Sequence, residues 1–159
     1  MRSAHETELD ALARVWFQGW QDAHAAIVPT ELTRARTLAS FRQRLGDSLP
    51  DIRVVGAVGS PVGFCIVKDD ELYQLFVAAE ARGSGVAASL IADAERRLAD
   101  RGVATAWLAC AIGNERAARF YEKCGWRRAG VIVSELDTPA GIIPLEVWRY
   151  EKTLGSAPA

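Results

Sequence analysis

A glycine-bracketed bend between a predicted strand and a predicted helix is the most constraining feature of this 159-residue chain. The bend lies in residues 72–88, which read LYQLFVAAEARGSGVAA, and it places Gly83 and Gly85 where the helix begins. The first N–H groups of a helix have no intrahelical partner and lie at the positive end of its dipole. Because glycine has no side chain, a phosphate can approach this backbone closely. The bend therefore predicts a site for a phosphate-bearing ligand.

Several interpretations of the bend can be compared. A Walker A loop requires a lysine after its last glycine, and none follows Gly85. Residues 83–88 fit the dinucleotide pattern G-x-G-x-x-A, but the next predicted strand, residues 104–110, offers no acidic residue to hold a ribose. The pattern R-x-x-G-x-A, from Arg82 to Ala87, directly after the predicted strand and its short turn, is a third candidate pattern for binding a phosphate. A turn whose glycines serve only its geometry is the remaining interpretation.

A second segment, residues 114–126, follows one predicted strand later and reads NERAARFYEKCGW. Asn114 suits a helix N-cap, and Gly125 suits a left-handed C-cap. Helical spacing places three residues on one face: Ala117, Phe120 and Tyr121. Together with the R-x-x-G-x-A bend, this segment resembles the signature N-x-x-A-x-x-F-Y-x-x-x-G-F of the GNAT superfamily of acyl-CoA-dependent N-acyltransferases. Trp126 replaces the final phenylalanine, and the resemblance is specific from about residue 71 to residue 126.

The predicted elements indicate an α+β protein. Seven strands are expected, at residues 2–6, 52–58, 62–68, 71–77, 104–110, 128–136 and 143–151. Four helices are expected: one that begins at a capping box of Thr7 and Asp10, then 34–45, 85–100, and one that begins at Asn114. This order resembles the GNAT fold, which implies a mixed, mostly antiparallel central sheet of about six to seven strands flanked by about four helices. We expect residues 1–154 to form a single domain and residues 155–159 to form a flexible tail.

Composition and charge narrow the classes of partner. The formal net charge is −1 and no Lys/Arg run is concentrated on one face, which argues against a nucleic-acid partner. No apolar run approaches the roughly 20 residues of a membrane span, and the N-terminus lacks a signal-peptide pattern. The odd cysteine count without metal-ligand spacing predicts reduced thiols, a cytoplasmic location and no metal site.

The resemblance also implies acetyl-CoA as co-substrate and identifies its contacts. The pantetheine arm would lie along the fourth strand and use the backbone of Leu75, Phe76 and Val77. The pyrophosphate would lie on the backbone of the bend, at Arg82, Gly83, Ser84, Gly85, Val86 and Ala87. The helix of the second motif would add Asn114, Ala117 and Phe120.

Acyl transfer from a thioester to an amine requires that the amine lose a proton and that the leaving thiolate be stabilised. The resemblance places Tyr121 near the CoA sulfur as general acid, and a packed aromatic is its structural alternative. Glu71 is the predicted general base, although its position after two aspartates also suits a solvated turn carboxylate. His24 is the rival base, because its ordinary pKa lies near neutrality.

The amine acceptor is expected to contact Trp20, His24 and Tyr73. The predicted activity is transfer of an acetyl group from acetyl-CoA to a primary amine of a small molecule or protein, by direct attack within a ternary complex. An acyl-CoA-binding sensor without turnover is one alternative, and a dinucleotide-binding oxidoreductase is another. The alternating apolar residues of the late strands are compatible with a homodimer.

Overall fold

The computed structural model describes residues 1–155, and one sheet organises them. Its strands are β1 (Arg2–Ser3), β2 (Ile52–Ala57), β3 (Ser60–Lys68), β4 (Glu71–Val77), β5 (Thr105–Ala111), β6 (Arg127–Thr138) and β7 (Gly141–Thr153). They lie in the order β1-β2-β3-β4-β5-β7-β6, and every neighbouring pair is antiparallel except β4 and β5. The predicted α+β class and the mixed, mostly antiparallel central sheet are therefore confirmed, with seven strands.

Helices cover both faces of the sheet. They are α1 (Leu9–His24), α2 (Thr30–Ala35), α3 (Leu38–Asp47), α4 (Val86–Asp100) and α5 (Glu115–Lys123). On one face, α1 and α3 bury an aromatic cluster that includes Trp16, Phe41 and Phe64, each fully inaccessible to solvent. On the other face, α4 packs Leu90 and Leu98 against β3, β4 and β5. The sheet thus separates two hydrophobic cores.

The fourth and fifth strands meet at one point and then separate. Within residues 1–155, their only register pair is Glu71 with Trp107, at the start of β4. The edge of β4 that faces β5 is therefore unpaired over the rest of its length. Since unpaired N–H and C=O groups at a strand edge can bond another extended chain, this opening is a potential binding site.

A bulge in β4 sets which face each side chain occupies. The register between β3 and β4 shifts where Ile66 pairs with Gln74 and Val67 pairs with Leu72, so Tyr73 is the additional residue. Tyr73 and Phe76 consequently pack on the α1 side, while Leu72 and Leu75 pack on the α4 side. Bulges of this kind often redirect side chains beside functional sites.

Two predicted helices differ from the observed ones. The helix expected at residues 34–45 is two helices, α2 and α3, because Arg36 leaves helical geometry and Thr37 caps α3 through the backbone N–H of Ser40. The helices therefore number five rather than four within the described residues. The prediction of a capping box at Thr7 and Asp10 is also wrong, since α1 begins at Leu9. The buried Glu8 carboxylate instead accepts a hydrogen bond from the His5 N–H and pairs with Arg2 at 2.7 Å.

The ends of other elements also shift. Strands β6 and β7 each extend two residues beyond their predicted hairpin ends and turn at Pro139 and Ala140. Of the predicted tail, Gly155 is exposed and without secondary structure, and residues 156–159 lie outside the described residues.

Candidate active site

Two adjoining cavities occupy the opening between β4 and β5. The first, here called the bend cavity, has a volume of about 450 Å³ and lies between the end of β4, the residues 81–88 bend and the start of α5. The second, here called the inner cavity, has a volume of about 210 Å³ and lies between α1, β4, β5 and the β6–β7 hairpin. Five residues line both: Leu75, Phe76, Asn114, Ala117 and Tyr121. A ligand could therefore extend from one cavity into the other.

The bend presents bare backbone to its cavity. Gly83 and Gly85 have φ angles of +79° and +86°, a left-handed conformation that strains other residues. Helix α4 begins immediately afterwards, at Val86. Among residues 1–155, five backbone N–H groups here have no hydrogen-bond acceptor: those of Gly83, Gly85, Val86, Ala87 and Ala88. These donors at a helix start suit an anionic phosphate group.

The side chains of the bend contribute less than its backbone. Arg82 lines the bend cavity and pairs with Asp22 of α1 at 3.1 Å, so its charge is already partly compensated. The Ser84 hydroxyl donates to the Ala81 carbonyl, and Val86 packs against the core. Ser84 and Val86 do not line the cavity. A ligand there would meet their backbone rather than their side chains.

The second motif forms the opposite wall of the bend cavity. Asn114 caps α5, and its side-chain oxygen accepts from the Ala117 N–H at 3.3 Å. Ala117 and Phe120, which helical spacing places on one face of α5, both line the bend cavity. Trp126, in contrast, is 2% exposed and donates to Glu95, so the end of the motif supports the fold.

Tyr121 lies where the two cavities meet. Its ring packs 5.6 Å from Phe120 and 6.1 Å from Tyr150, measured between centroids. Burial raises the pKa of its phenol above the usual value, so the group is protonated at neutral pH. The Tyr121 hydroxyl makes no hydrogen bond with any other group in residues 1–155, although it lines both cavities. The hydroxyl is thus available to a ligand.

Glu71 lies at the vertex of the opening, and its side chain lines the inner cavity. Burial raises its pKa to about 7, and the nearby Lys68 and Arg149 charges only partly oppose this rise. It is half-buried and is therefore not the solvated turn carboxylate that its sequence context also suited. A carboxyl group with a pKa near neutrality can accept a proton at physiological pH.

The predicted acceptor residues also line the inner cavity. Trp20, His24 and Tyr73 are brought together there by α1 and β4. Burial lowers the pKa of His24 to about 4, and its Nδ1 atom has no hydrogen-bond partner among the described residues. His24 is therefore neutral at pH 7 and is a weaker base than Glu71.

Three ionisable residues of the inner cavity were missed by the sequence analysis. Arg36 and Arg44 reach it from the α2–α3 break and from α3, and no motif marks either of them. Cys110 also lines it, and burial raises the pKa of its thiol to about 12. Because only the thiolate is a strong nucleophile, Cys110 is poorly suited to forming an acyl-enzyme.

No group of three or more His, Cys, Asp or Glu side chains in residues 1–155 is arranged to hold a metal ion. Within the same range, no helix combines the length and apolar character needed to cross a membrane.

Comparison with known proteins relates this geometry to a family. The model of the acetyltransferase (GNAT) family matches residues 10–126. An uncharacterized N-acetyltransferase of Mycobacterium tuberculosis is 32% identical over 111 residues, which cover 67% of this chain and 69% of the relative.

Solved structures agree in fold. A GCN5-related N-acetyltransferase from Rhodopseudomonas palustris has a TM-score of 0.76 and 21% identity, with 96% of this chain and 94% of that chain covered. YncA of Salmonella typhimurium, a putative acetyltransferase solved with its cofactor acetyl-CoA, has a TM-score of 0.64 and 16% identity, with coverage of 99% and 95%. The family match and the shared fold establish that this chain belongs to the GNAT family of acetyltransferases.

Proposed function

We propose that this protein transfers an acetyl group from acetyl-CoA to a primary amine of a small molecule while both substrates are bound. The observation that carries the proposal is the opening between β4 and β5, which joins the bend cavity to the inner cavity. One cavity offers helix-start donors for a phosphate, and the other contains a carboxyl group suited to accept a proton. The acetyl-CoA complex of the similarly folded YncA supports the choice of co-substrate.

Acetyl-CoA would occupy the bend cavity. Its pyrophosphate would accept hydrogen bonds from the free N–H groups between Gly83 and Ala88. Its pantetheine arm carries amides, which would bond the unpaired edge of β4 at Leu75, Phe76 and Val77, as an added strand does. This arrangement directs the thioester toward the shared wall that contains Tyr121.

The reaction would proceed by direct attack of the amine on the thioester carbonyl carbon. Glu71 accepts the proton of the amine, directly or through one water molecule, and the C–N bond forms. An unpaired N–H of β4 stabilises the negative charge on the carbonyl oxygen. The C–S bond then breaks, and the thiolate takes the proton of the Tyr121 hydroxyl, which is restored from solvent. The products are the acetylated amine and CoA.

The protonation states fit these roles. At neutral pH about half of the Glu71 carboxyl groups are ionised, because the pKa is about 7. Tyr121 begins protonated, and its burial strengthens a hydrogen bond to the developing thiolate charge. The raised pKa of Cys110 disfavours a covalent acyl-enzyme, so proximity of the two substrates supplies much of the rate.

A thiol-release assay tests this function. Purified protein is incubated with acetyl-CoA and a panel of primary amines, and mass spectrometry then identifies the acetylated product. We expect stoichiometric CoA and acetylated amine with at least one acceptor class. Tight acetyl-CoA binding without product across the panel would instead support a sensor that binds acyl-CoA without turnover.

The exposed edge of the sheet could pair two copies of the chain. Strand β6 is an edge of the sheet and exposes Val131 and Val133. Pairing of two copies through this edge stays a prediction, and sedimentation velocity would measure it.

A further inference from the structure

Arg36 is a buried charge without an ionic partner. The residue is 6% exposed, whereas arginines buried to this degree are normally paired. Its Nη1 donates to the backbone carbonyl of Asp137 at 2.9 Å. Its Nε and Nη2 atoms have no hydrogen-bond partner among residues 1–155, each keeps some solvent-accessible surface, and Arg36 lines the inner cavity. Two guanidinium nitrogens are therefore free to donate to a ligand.

Arg44 adds a second positive charge to the same cavity. Its Nη2 donates to the Tyr73 hydroxyl at 2.8 Å, and its guanidinium lies 4.4 Å from the centroid of the Trp16 ring. Neither contact neutralises the charge, and within the described part of the chain Arg44 forms no ion pair with a carboxylate. Stacking and the hydroxyl contact hold the guanidinium in one orientation.

The charges that face the inner cavity are unbalanced. Arg36 and Arg44 oppose one carboxyl group, Glu71, whose burial favours its uncharged form. Burial, and next the neighbouring Arg44 charge, lower the pKa of Arg36 to about 10 against the opposing effects of Tyr73 and Asp137. Arg36 is therefore charged at neutral pH, and the two guanidinium groups repel each other. A bound anion would relieve both the desolvation and the repulsion.

We propose that the acceptor is a small amine that also carries a carboxylate, and that Arg36 and Arg44 bind this carboxylate while the amine lies toward Glu71. The inference rests on the acetyl transfer proposed above. The fork of guanidinium donors matches the two oxygens of a carboxylate. Glu71 and Tyr73, the contact of Arg44, belong to one strand and line the same cavity, so the base and the anion site share a wall. The cavity volume of about 210 Å³ suits a molecule of amino-acid size.

The same charges exclude other acceptors. A polyamine or a lysine within a basic peptide would bring further positive charge against two guanidinium groups. Repulsion of this kind is an effective source of specificity, because it penalises the wrong substrate.

Matched acceptor pairs test the inference. Each amino acid of a panel is assayed beside its carboxamide and its decarboxylated amine, with thiol release as the readout and kcat/KM as the measured quantity. We expect the carboxylate form to exceed its partners by roughly tenfold to a hundredfold, the range of a lost charge-assisted hydrogen bond. R36Q and R44Q should each reduce this ratio toward one, mainly through KM, while R36K should retain part of it.

Controls separate the anion site from stability and from CoA binding. R42Q changes an arginine of the same helix as Arg44 that instead pairs with Asp10 at the surface, and it should leave the ratio unchanged. Tyr73→Phe removes the hydroxyl that Arg44 contacts and should reduce the ratio without removing the charge. Acetyl-CoA affinity should be the same in all of these variants.

The outcomes distinguish the two proposals. Equal or greater kcat/KM for carboxamides, with transfer intact, would overturn the carboxylate inference and leave the acetyltransferase proposal standing. Absence of transfer with every amine would overturn the proposed function. In that case N-acetyl amino acids are titrated by calorimetry into CoA-loaded protein: binding that R36Q abolishes would support the anion site, and its absence would overturn it.

Discussion

Replacement of Glu71 by glutamine should remove a pH dependence of acetyl transfer near pH 7. The variant preserves the size and polarity of the side chain but cannot accept a proton. General base catalysis contributes roughly a hundredfold to ten-thousandfold, so we expect kcat to fall within that range at pH 8.

The pKa sets the shape of the profile. With a pKa of about 7, about one-eleventh of the Glu71 carboxyl groups are ionised at pH 6 and about ten-elevenths at pH 8, a ratio of roughly ten. A carboxyl with its ordinary pKa would be ionised at both values and would give no such rise. His24, with its pKa lowered to about 4, would likewise stay in one form across this range.

The assay is steady-state thiol release with one saturating acceptor from pH 5.5 to pH 8.5. Wild type and Glu71→Gln are compared with the same acceptor, so that titration of the amine itself is common to both. Glu80→Gln, in the exposed turn after β4, is the matched control and should follow wild type. An inflection near pH 7 that persists in Glu71→Gln would refute the assignment of Glu71 as the base.

The pH dependence of folding stability provides an independent test of the raised Glu71 pKa. Because folding raises the pKa of Glu71, the native state binds more protons than the unfolded state between about pH 4.5 and pH 7. The stabilising contribution of the protonated form is thus lost as pH rises through this window. Thermal melts should show a steeper decline from pH 5 to pH 7 for wild type than for Glu71→Gln.

Three further predictions concern the shared wall, the bend and α1. Tyr121→Phe should lower kcat by roughly a hundredfold with little change in CoA affinity, and equal turnover would remove Tyr121 from the mechanism. Gly85→Ala and Gly59→Ala should each lower the free energy of unfolding in urea by about 1–2 kcal/mol, because the φ angles at these positions are +86° and +84°. Calorimetry should show weaker acetyl-CoA binding for Gly85→Ala but not for Gly59→Ala. Gly19→Ala should destabilise the protein, because the added Cβ would lie 2.6 Å from an aromatic carbon of Phe76. Gly46→Ala should stabilise it by about 0.5–1 kcal/mol, because the nearest atom is 4.0 Å away and glycine weakens a helix. The opposite order of unfolding midpoints would contradict this packing argument.

The parts of the fold that local patterns specify were predicted from the sequence. The bend and the α5 motif each carry their own geometry, in the positive φ of Gly85 and the cap at Asn114, and both were found where expected. The α2–α3 break was missed because Thr37 and Ser40 cap a helix inside one continuous helical pattern. The start of α1 was missed because the Glu8 side chain is buried in an ion pair with Arg2, and helix periodicity gives no information about such a contact.

The inner cavity shows why the rest of the site could not be predicted. Arg36, Arg44 and Glu71 come from separate elements, and their meeting depends on tertiary packing. Their chemistry also depends on burial, which raises the pKa of Glu71 to about 7 and has no sequence signal. The bulge that directs Tyr73 into the cavity is likewise a property of the β3–β4 pairing rather than of the residues alone.

Thermal melting with acetyl-CoA, CoA, NADH and ATP in parallel tests the central claim most directly. A ligand that binds only the folded state at a hundredfold excess over its Kd adds about 2.7 kcal/mol of stability. For a domain of this size the added stability corresponds to a rise of roughly 5 to 10 °C in Tm. We predict this rise with acetyl-CoA and CoA, together with a smaller rise in Gly85→Ala. A rise with NADH alone, or no rise with any of the four ligands, would contradict acetyl-CoA binding at the opening between β4 and β5.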